Sequence, residues 1–301
     1  MKLLVKIIAV AQLSIIPSLV PISVSAESNF KICPSGGTST LQGITEDDAC
    51  ASTPTKYSVS IYEMGLCILN PYQGNKFSKE NGDCTSTVSA ETAQLVNLAA
   101  GSAVTLKNTC IEEASLCVPK SGTYQYAYAV LDETFTLNSQ YVVDGITYYS
   151  DSTTMRPSGR GIKNATTTGP NDFKVILDNF GEGEFVDEDN PEDVAFENIA
   201  TDTLVDGQMT ALLTSQDLSM AQNTSQVKRI IGIFKPSKPF VVTAETTGLE
   251  VKFKISNQGS LVYSCADFID MEDSSDEEIA SAYKKVCEFN AGPFSVSLQP
   301  F

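Results

Sequence analysis

Thr123-Tyr124-Gln125-Tyr126-Ala127-Tyr128-Ala129-Val130-Leu131 is the stretch whose reading decides the fold. Successive side chains of a strand point to opposite faces, so this run places Tyr124, Tyr126 and Tyr128 on one side and Ala127, Ala129 and Leu131 on the other. Ten residues further, Tyr141-Val142-Val143-Asp144-Gly145-Ile146-Thr147-Tyr148-Tyr149 carries two β-rich arms around Asp144-Gly145. That dipeptide supplies the positive φ angles of a tight hairpin turn.

The same period-two pattern recurs on both sides. Tyr57 to Tyr62, Phe173 to Leu177, Arg229 to Phe234, Phe240 to Thr246, Glu250 to Ile255, Ser260 to Ser264 and Phe294 to Leu298 all read as strands. Weaker strands are expected near 86–90, 103–107, 202–205 and 208–213. Residues 27–55, 69–86 and 181–198 read as loops from their Gly, Asn, Pro and acidic content. One helix is expected at 275–288. Ser275 and Glu278 have capping-box spacing, and Ile279, Ala282, Tyr283 and Val286 form an apolar stripe. The expected class is mainly β: an antiparallel β-sandwich or jelly-roll-like fold with one short C-terminal α-helix and several disulfides.

The N-terminus carries an address. Lys2 and Lys6 precede an apolar stretch from Ile7 to about Val24, which closes on Val24-Ser25-Ala26 before Glu27. That order is a secretory signal peptide covering residues 1–26, with cleavage after Ala26. Pro17 and Pro21 interrupt the stretch, against a transmembrane anchor. Glu27 stands where a lipoprotein would need Cys. Counting back by twos from Phe301 gives Gln299, Ser297, Ser295 and Pro293, none of them lipid-facing, so a membrane barrel is not expected either. The mature chain is therefore expected to be secreted, extracellular, at the cell surface or periplasmic.

Eight cysteines accompany this leader. With an export signal they read as disulfides. Zinc is disfavoured because the chain has no His and no Cys-x-x-Cys pair. Pairing by proximity in sequence gives Cys33 with Cys50, Cys67 with Cys84, Cys110 with Cys117, and Cys265 with Cys287. The Gly-, Pro- and Asn-containing stretch 158–172 separates a Cys-rich portion from one with few. It reads as a linker or a long loop, with a β domain at 27–157 before it and a second β domain at 173–301 after it.

The net charge of −17 becomes more negative once Lys2 and Lys6 leave with the leader. Such a surface opposes nucleic acid and anionic membranes, and favours solubility and divalent cations. The absence of His removes the Ser-His, Cys-His and His-metal mechanisms. Ser281-Ala282-Tyr283-Lys284 matches a Ser-x-x-Lys pattern, but its companion motifs are missing, so it reads as helix surface. No catalytic motif remains, and the chain is read as a non-enzyme.

Three binding features are left. Asp187, Glu188, Asp189, Asn190 and Asp193, with Glu192 among them, form the densest oxygen cluster and are a candidate calcium site. Pro191 breaks the EF-hand spacing, and a solvated acidic loop is the competing reading. Asp267, Asp270, Glu272, Asp273 and Asp276 make a second cluster, better explained by the adjacent helix start. The Tyr124, Tyr126 and Tyr128 face could stack sugar rings, or could be an aromatic row covering the core. Asn164-Ala165-Thr166 and Asn223-Thr224-Ser225 are glycosylation sequons.

Together these features favour a secreted or cell-surface structural, assembly or adhesive protein with protein partners or self-association. An extracellular glycan- or ligand-binding module is the alternative, and a carboxylate-dependent hydrolase comes third.

Overall fold

A computed structural model describes residues 22–24, 31–44, 49–98, 103–104, 120–151, 165–180, 196–204, 207–246, 249–257, 259–269, 271, 273–292 and 295–300. The chain is mainly β and its strand ladders are antiparallel.

A seven-stranded sheet forms the centre. Its strands are β1 (Lys56–Cys67), β2 (Cys84–Asn97), β3 (Tyr126–Asn138), β4 (Phe173–Ile176), β5 (Ile199–Leu204), β6 (Gly207–Thr214) and β7 (Arg229–Pro236). They lie in the order β5-β6-β7-β3-β1-β2, and β4 also pairs with β3. The strongest sequence signal, around Tyr126, thus becomes a central strand with neighbours along both sides. β7 reads as a nearly unbroken apolar run because both its faces are covered. Ile230 and Phe234 join one cluster and Ile231 and Ile233 the other.

Smaller sheets pack on the first face. One contains Ala49–Ser52, Ser260–Ser264 and Val286–Ala291, in the order 49–52, 260–264, 286–291. Another contains Gln140–Val143, Ile146–Ser150 and Ala165–Thr166. Cys50, Val262 and Phe289 from the one, and Tyr141 and Tyr148 from the other, share a core with Val59, Ile61, Leu131, Phe135 and Phe234 of the central sheet. Each fully buried large side chain contributes roughly 1.5–3 kcal/mol by leaving water. The second face is covered by the 68–83 connection, where Phe77 packs on Tyr128 with ring centroids 5.4 Å apart. Sheets stacked face to face around one core make the arrangement sandwich-like.

The division into domains at 27–157 and 173–301 does not separate two sheets. β3 belongs to the first stretch and β7 to the second, yet they pair from Ala127↔Phe234 to Asp132↔Arg229. Apolar residues from both sides of 158–172, Val59 and Phe135 with Phe234 and Val262 among them, share one core.

The hairpin forms as expected, with Val143↔Ile146 closing the ladder and φ of 50° at Asp144 and 76° at Gly145. The helix is shorter than 275–288. Its capping box at Ser275 and Glu278 is present, but the helical span is Asp276–Ala282. Val286 instead opens a strand against Ser260–Ser264, where pairing and burial of Val286 and Phe289 override the helical spacing. Strand β2 is also longer than the weak expectation at 86–90. The supposed loops at 27–55 and 69–86 contain the buried strand Ala49–Ser52 and, respectively, a Tyr72–Gln73/Lys76–Phe77 hairpin followed by helix Lys79–Gly82.

Among the described residues three disulfides are present: Cys33–Cys50, Cys67–Cys84 and Cys265–Cys287. The expected Cys110–Cys117 pair lies outside the described residues. No helix among the described residues is long and apolar enough to cross a membrane. Ile22–Val24, within the expected leader, pairs with Val296–Leu298 at the margin of a further sheet.

Candidate functional site: a bulge that gathers Tyr62, Asp132, Glu133 and Arg229

The regular alternation of β1 breaks at Tyr62. Tyr57, Val59 and Ile61 face the first core, and so do Met64 and Leu66, although their parity has changed. Tyr62 is the extra residue that restores the inward face, and the ladder to β2 shifts register between Ile61 and Glu63. Strand β3 answers with its own irregularity. Val59 opposes Phe135 and Ile61 opposes Leu131, so Asp132, Glu133 and Thr134 occupy the space opposite a single residue, Ser60.

The other side of β3 changes neighbour at the same place. Residues up to Asp132 pair with β7, and residues from Thr134 onward pair with β4. Asp132 and Glu133 therefore sit where two strands part. Bulges and strand junctions of this kind re-aim side chains away from the regular pleat.

Polar groups converge there. The Tyr62 hydroxyl donates to Asp132 Oδ2 at 2.7 Å, and the Thr134 N–H donates to Asp132 Oδ1 at 3.0 Å. The Arg229 guanidinium lies 3.6 Å from the Tyr62 ring centroid and 4.0 Å from Asp132 Oδ2. Arg229 also donates to the carbonyl of Lys228. Burial pushes the Glu133 carboxyl above its ordinary range, with the charge of Asp132 acting in the same direction and Lys228 opposing. Burial and the Asp132 carboxylate raise the Tyr62 hydroxyl as well.

Chemically, Asp132 accepts from a phenol and an amide, with a cation nearby. Glu133 follows it directly in the chain, and the charge of Asp132 helps to raise the Glu133 carboxyl. The cluster pins the bulge and the junction of β3, β4 and β7.

A second polar knot forms around Glu63. Glu63 Oε1 accepts from the Tyr128 hydroxyl at 2.6 Å, and Lys79 Nζ reaches the same carboxylate at 2.9 and 3.0 Å. Gly65 makes room for this arrangement. A Cβ there would lie 2.4 Å from the Tyr128 ring and 2.5 Å from the Thr85 carbonyl oxygen. Lys79 stands at the start of the Ser78-capped helix Lys79–Gly82, so the knot ties the disulfide-closed 68–83 connection to the sheet.

The three tyrosines singled out from sequence do not form one open face. Tyr124 and Tyr128 are each 2 % exposed. Tyr124 ends the short strand Gly122–Tyr124 and enters the first core, whereas Tyr126 and Tyr128 lie with the second cluster. Gln125 separates them, its N–H bonding the Cys67 carbonyl between the two strands, and the alternation that put them on one face is lost. The Tyr124 hydroxyl donates to the Lys120 carbonyl at 2.7 Å, and that of Tyr128 to Glu63.

The candidate calcium ligands Asp187, Glu188, Asp189, Asn190 and Asp193 lie outside the described residues. Among the described residues, no group of three or more acidic or Cys side chains is arranged to hold a metal. Of the second acidic cluster, Asp267 accepts from the Ser264 hydroxyl at 2.9 Å, and Asp276 opens the helix. Ser281 and Lys284 are exposed at the helix end. Asn223 is exposed and caps a short 3-10 turn, while Asn164 of the other sequon is outside the described residues.

The Tyr62–Asp132–Glu133–Arg229 group was not foreseen. Its only sequence trace is the parity change between Ile61 and Met64. Comparison of the chain with family models, curated proteins and solved structures finds no match.

Proposed function

We propose that this is a secreted or cell-surface, non-enzymatic β-sheet protein that works by assembly, as a structural or adhesive component. The observation carrying the reading is the long margin of the central sheet. β2 runs for 14 residues, Cys84–Asn97, and pairs with β1 on one side. The sheet order ends there among the described residues. A margin of that length is a template for another strand, since extended backbone presents hydrogen-bonding groups on both sides. Leu95 on this strand is 70 % exposed, an apolar side chain on the margin that a second strand would cover.

The disulfides support the compartment. Three buried or half-buried cystines persist where the environment is oxidising, in keeping with the leader-like segment. The bulge cluster supports a structural role, because the Asp132 carboxylate is engaged by Tyr62, the Thr134 N–H and Arg229.

The test is the state of Leu95→Lys beside the native protein, each recovered after export and followed by light scattering. Native multimers that shrink in the variant are expected. Equal multimers in both would move assembly away from β2.

A further inference from the structure

The strand Ser295–Pro300 lies between Leu249–Lys254 on one side and Ile22–Val24 on the other. The outer pairing is antiparallel, with Ile22↔Leu298, Ser23↔Ser297 and Val24↔Val296. Ile22–Val24 is part of the segment whose order of charged, apolar and small residues marks a leader cut after Ala26. The segment that covers this margin is therefore one that processing would take away.

We propose that removal of the leader uncovers Ser295–Pro300, and that the same strand of a second copy takes the place of Ile22–Val24. The inference rests on the secretion and assembly reading above. Three observations choose the occupant. The margin already accepts a strand in antiparallel sense, which is the sense two identical strands adopt across a two-fold axis. From Phe289 to Phe301 the chain carries no charged residue, although its net charge is −17. Two copies can therefore approach here without the repulsion that the rest of the surface imposes. Finally, Ser295–Pro300 is backed by Leu249–Lys254 along all six of its residues, so the ladder that meets the partner is held in place. The leader then has a second role: it keeps the margin closed until export is complete.

The experiment compares masses in solution by light scattering. The processed chain, beginning at Glu27 and carrying Leu95→Lys so that association through β2 is closed, is expected at the mass of two copies. Adding a synthetic peptide of residues 20–26 should return it to one copy, and a scrambled peptide should leave it unchanged. Ser297→Lys should also give one copy, with an unaltered far-ultraviolet circular dichroism spectrum that shows the fold is intact. A Leu95→Lys chain that retains residues 21–26 behind a substitute cleavable leader should be monomeric from the outset. Multimers indifferent to both the peptide and Ser297→Lys, yet dispersed by Leu95→Lys, overturn this inference and leave the assembly reading standing. A processed native chain that is monomeric at every concentration overturns both.

Discussion

Removing the Cys67–Cys84 bridge isolates one term in the stability of the central sheet. Cys67 ends β1 and Cys84 begins β2, and the two are direct partners in the ladder. The bridge closes a loop with a sequence separation of 17. Constraining a loop of that size in the unfolded chain stabilises the fold by about 3 kcal/mol in the chain-entropy treatment. At about 2–4 °C per kcal/mol for a chain of a few hundred residues, the double variant Cys67→Ala/Cys84→Ala should melt roughly 6–12 °C lower. Loss of the fully buried Cys67 sulfur beside Phe77 and Tyr128 acts in the same direction. Both cysteines must be replaced together, because a lone thiol in an oxidising compartment invites mispairing. Differential scanning calorimetry of native and variant chains gives the shift, and circular dichroism at low temperature checks that the β content is unchanged. A fall of less than about 2 °C would refute the reasoning, since it would mean the closed loop contributes little of the expected constraint.

Two further outcomes follow from the polar knots. Burial raises the folded-state carboxyl of Glu133 above its unfolded value, so its ionised form costs stability at neutral pH, and that cost disappears as the pH falls below the ordinary carboxylate range. Glu133→Gln should therefore melt higher than the native chain at pH 7 and converge with it near pH ~3.5, as read by thermal melts across that range; a variant less stable at pH 7 contradicts this. Gly65→Ala should lose about 1–3 kcal/mol in urea titration, because the new methyl group meets the Tyr128 ring and the Thr85 carbonyl; an unchanged midpoint would show that the seat is looser than described.

Much of the fold was legible because it follows from short-range rules. The Asp144-Gly145 turn requires positive φ and its sequence allows it. Local cysteine pairing holds at three bridges because each joins neighbouring elements, and the capping box at Ser275 and Glu278 forms as its spacing requires. What was not legible depends on contacts between distant residues. Val286 satisfies a helical stripe and a strand equally well, and only the waiting margin of Ser260–Ser264 decides for the strand. The tyrosine face failed at Gln125, where one backbone hydrogen bond to Cys67 ends a strand that the alternation carries straight through. The pairing of β3 with β7 across 158–172 was not legible either, because a composition change there says nothing about which strands β3 will pair with.

The bulge site shows the limit most clearly. Tyr62, Asp132 and Arg229 are separated widely in sequence, and no local pattern announces their meeting. Yet Tyr57-Ser58-Val59-Ser60-Ile61-Tyr62-Glu63-Met64-Gly65-Leu66 contains the signal in outline. Its apolar positions switch from odd to even, and a strand that stays buried on one face can do that only by inserting a residue.

Assembly is the central claim, and electron microscopy of the exported, processed protein addresses it most directly. The account predicts ordered multimers, either filaments or arrays, built from copies of this chain. Particles that remain single chains throughout, in the presence of intact disulfides and native circular dichroism, would contradict it.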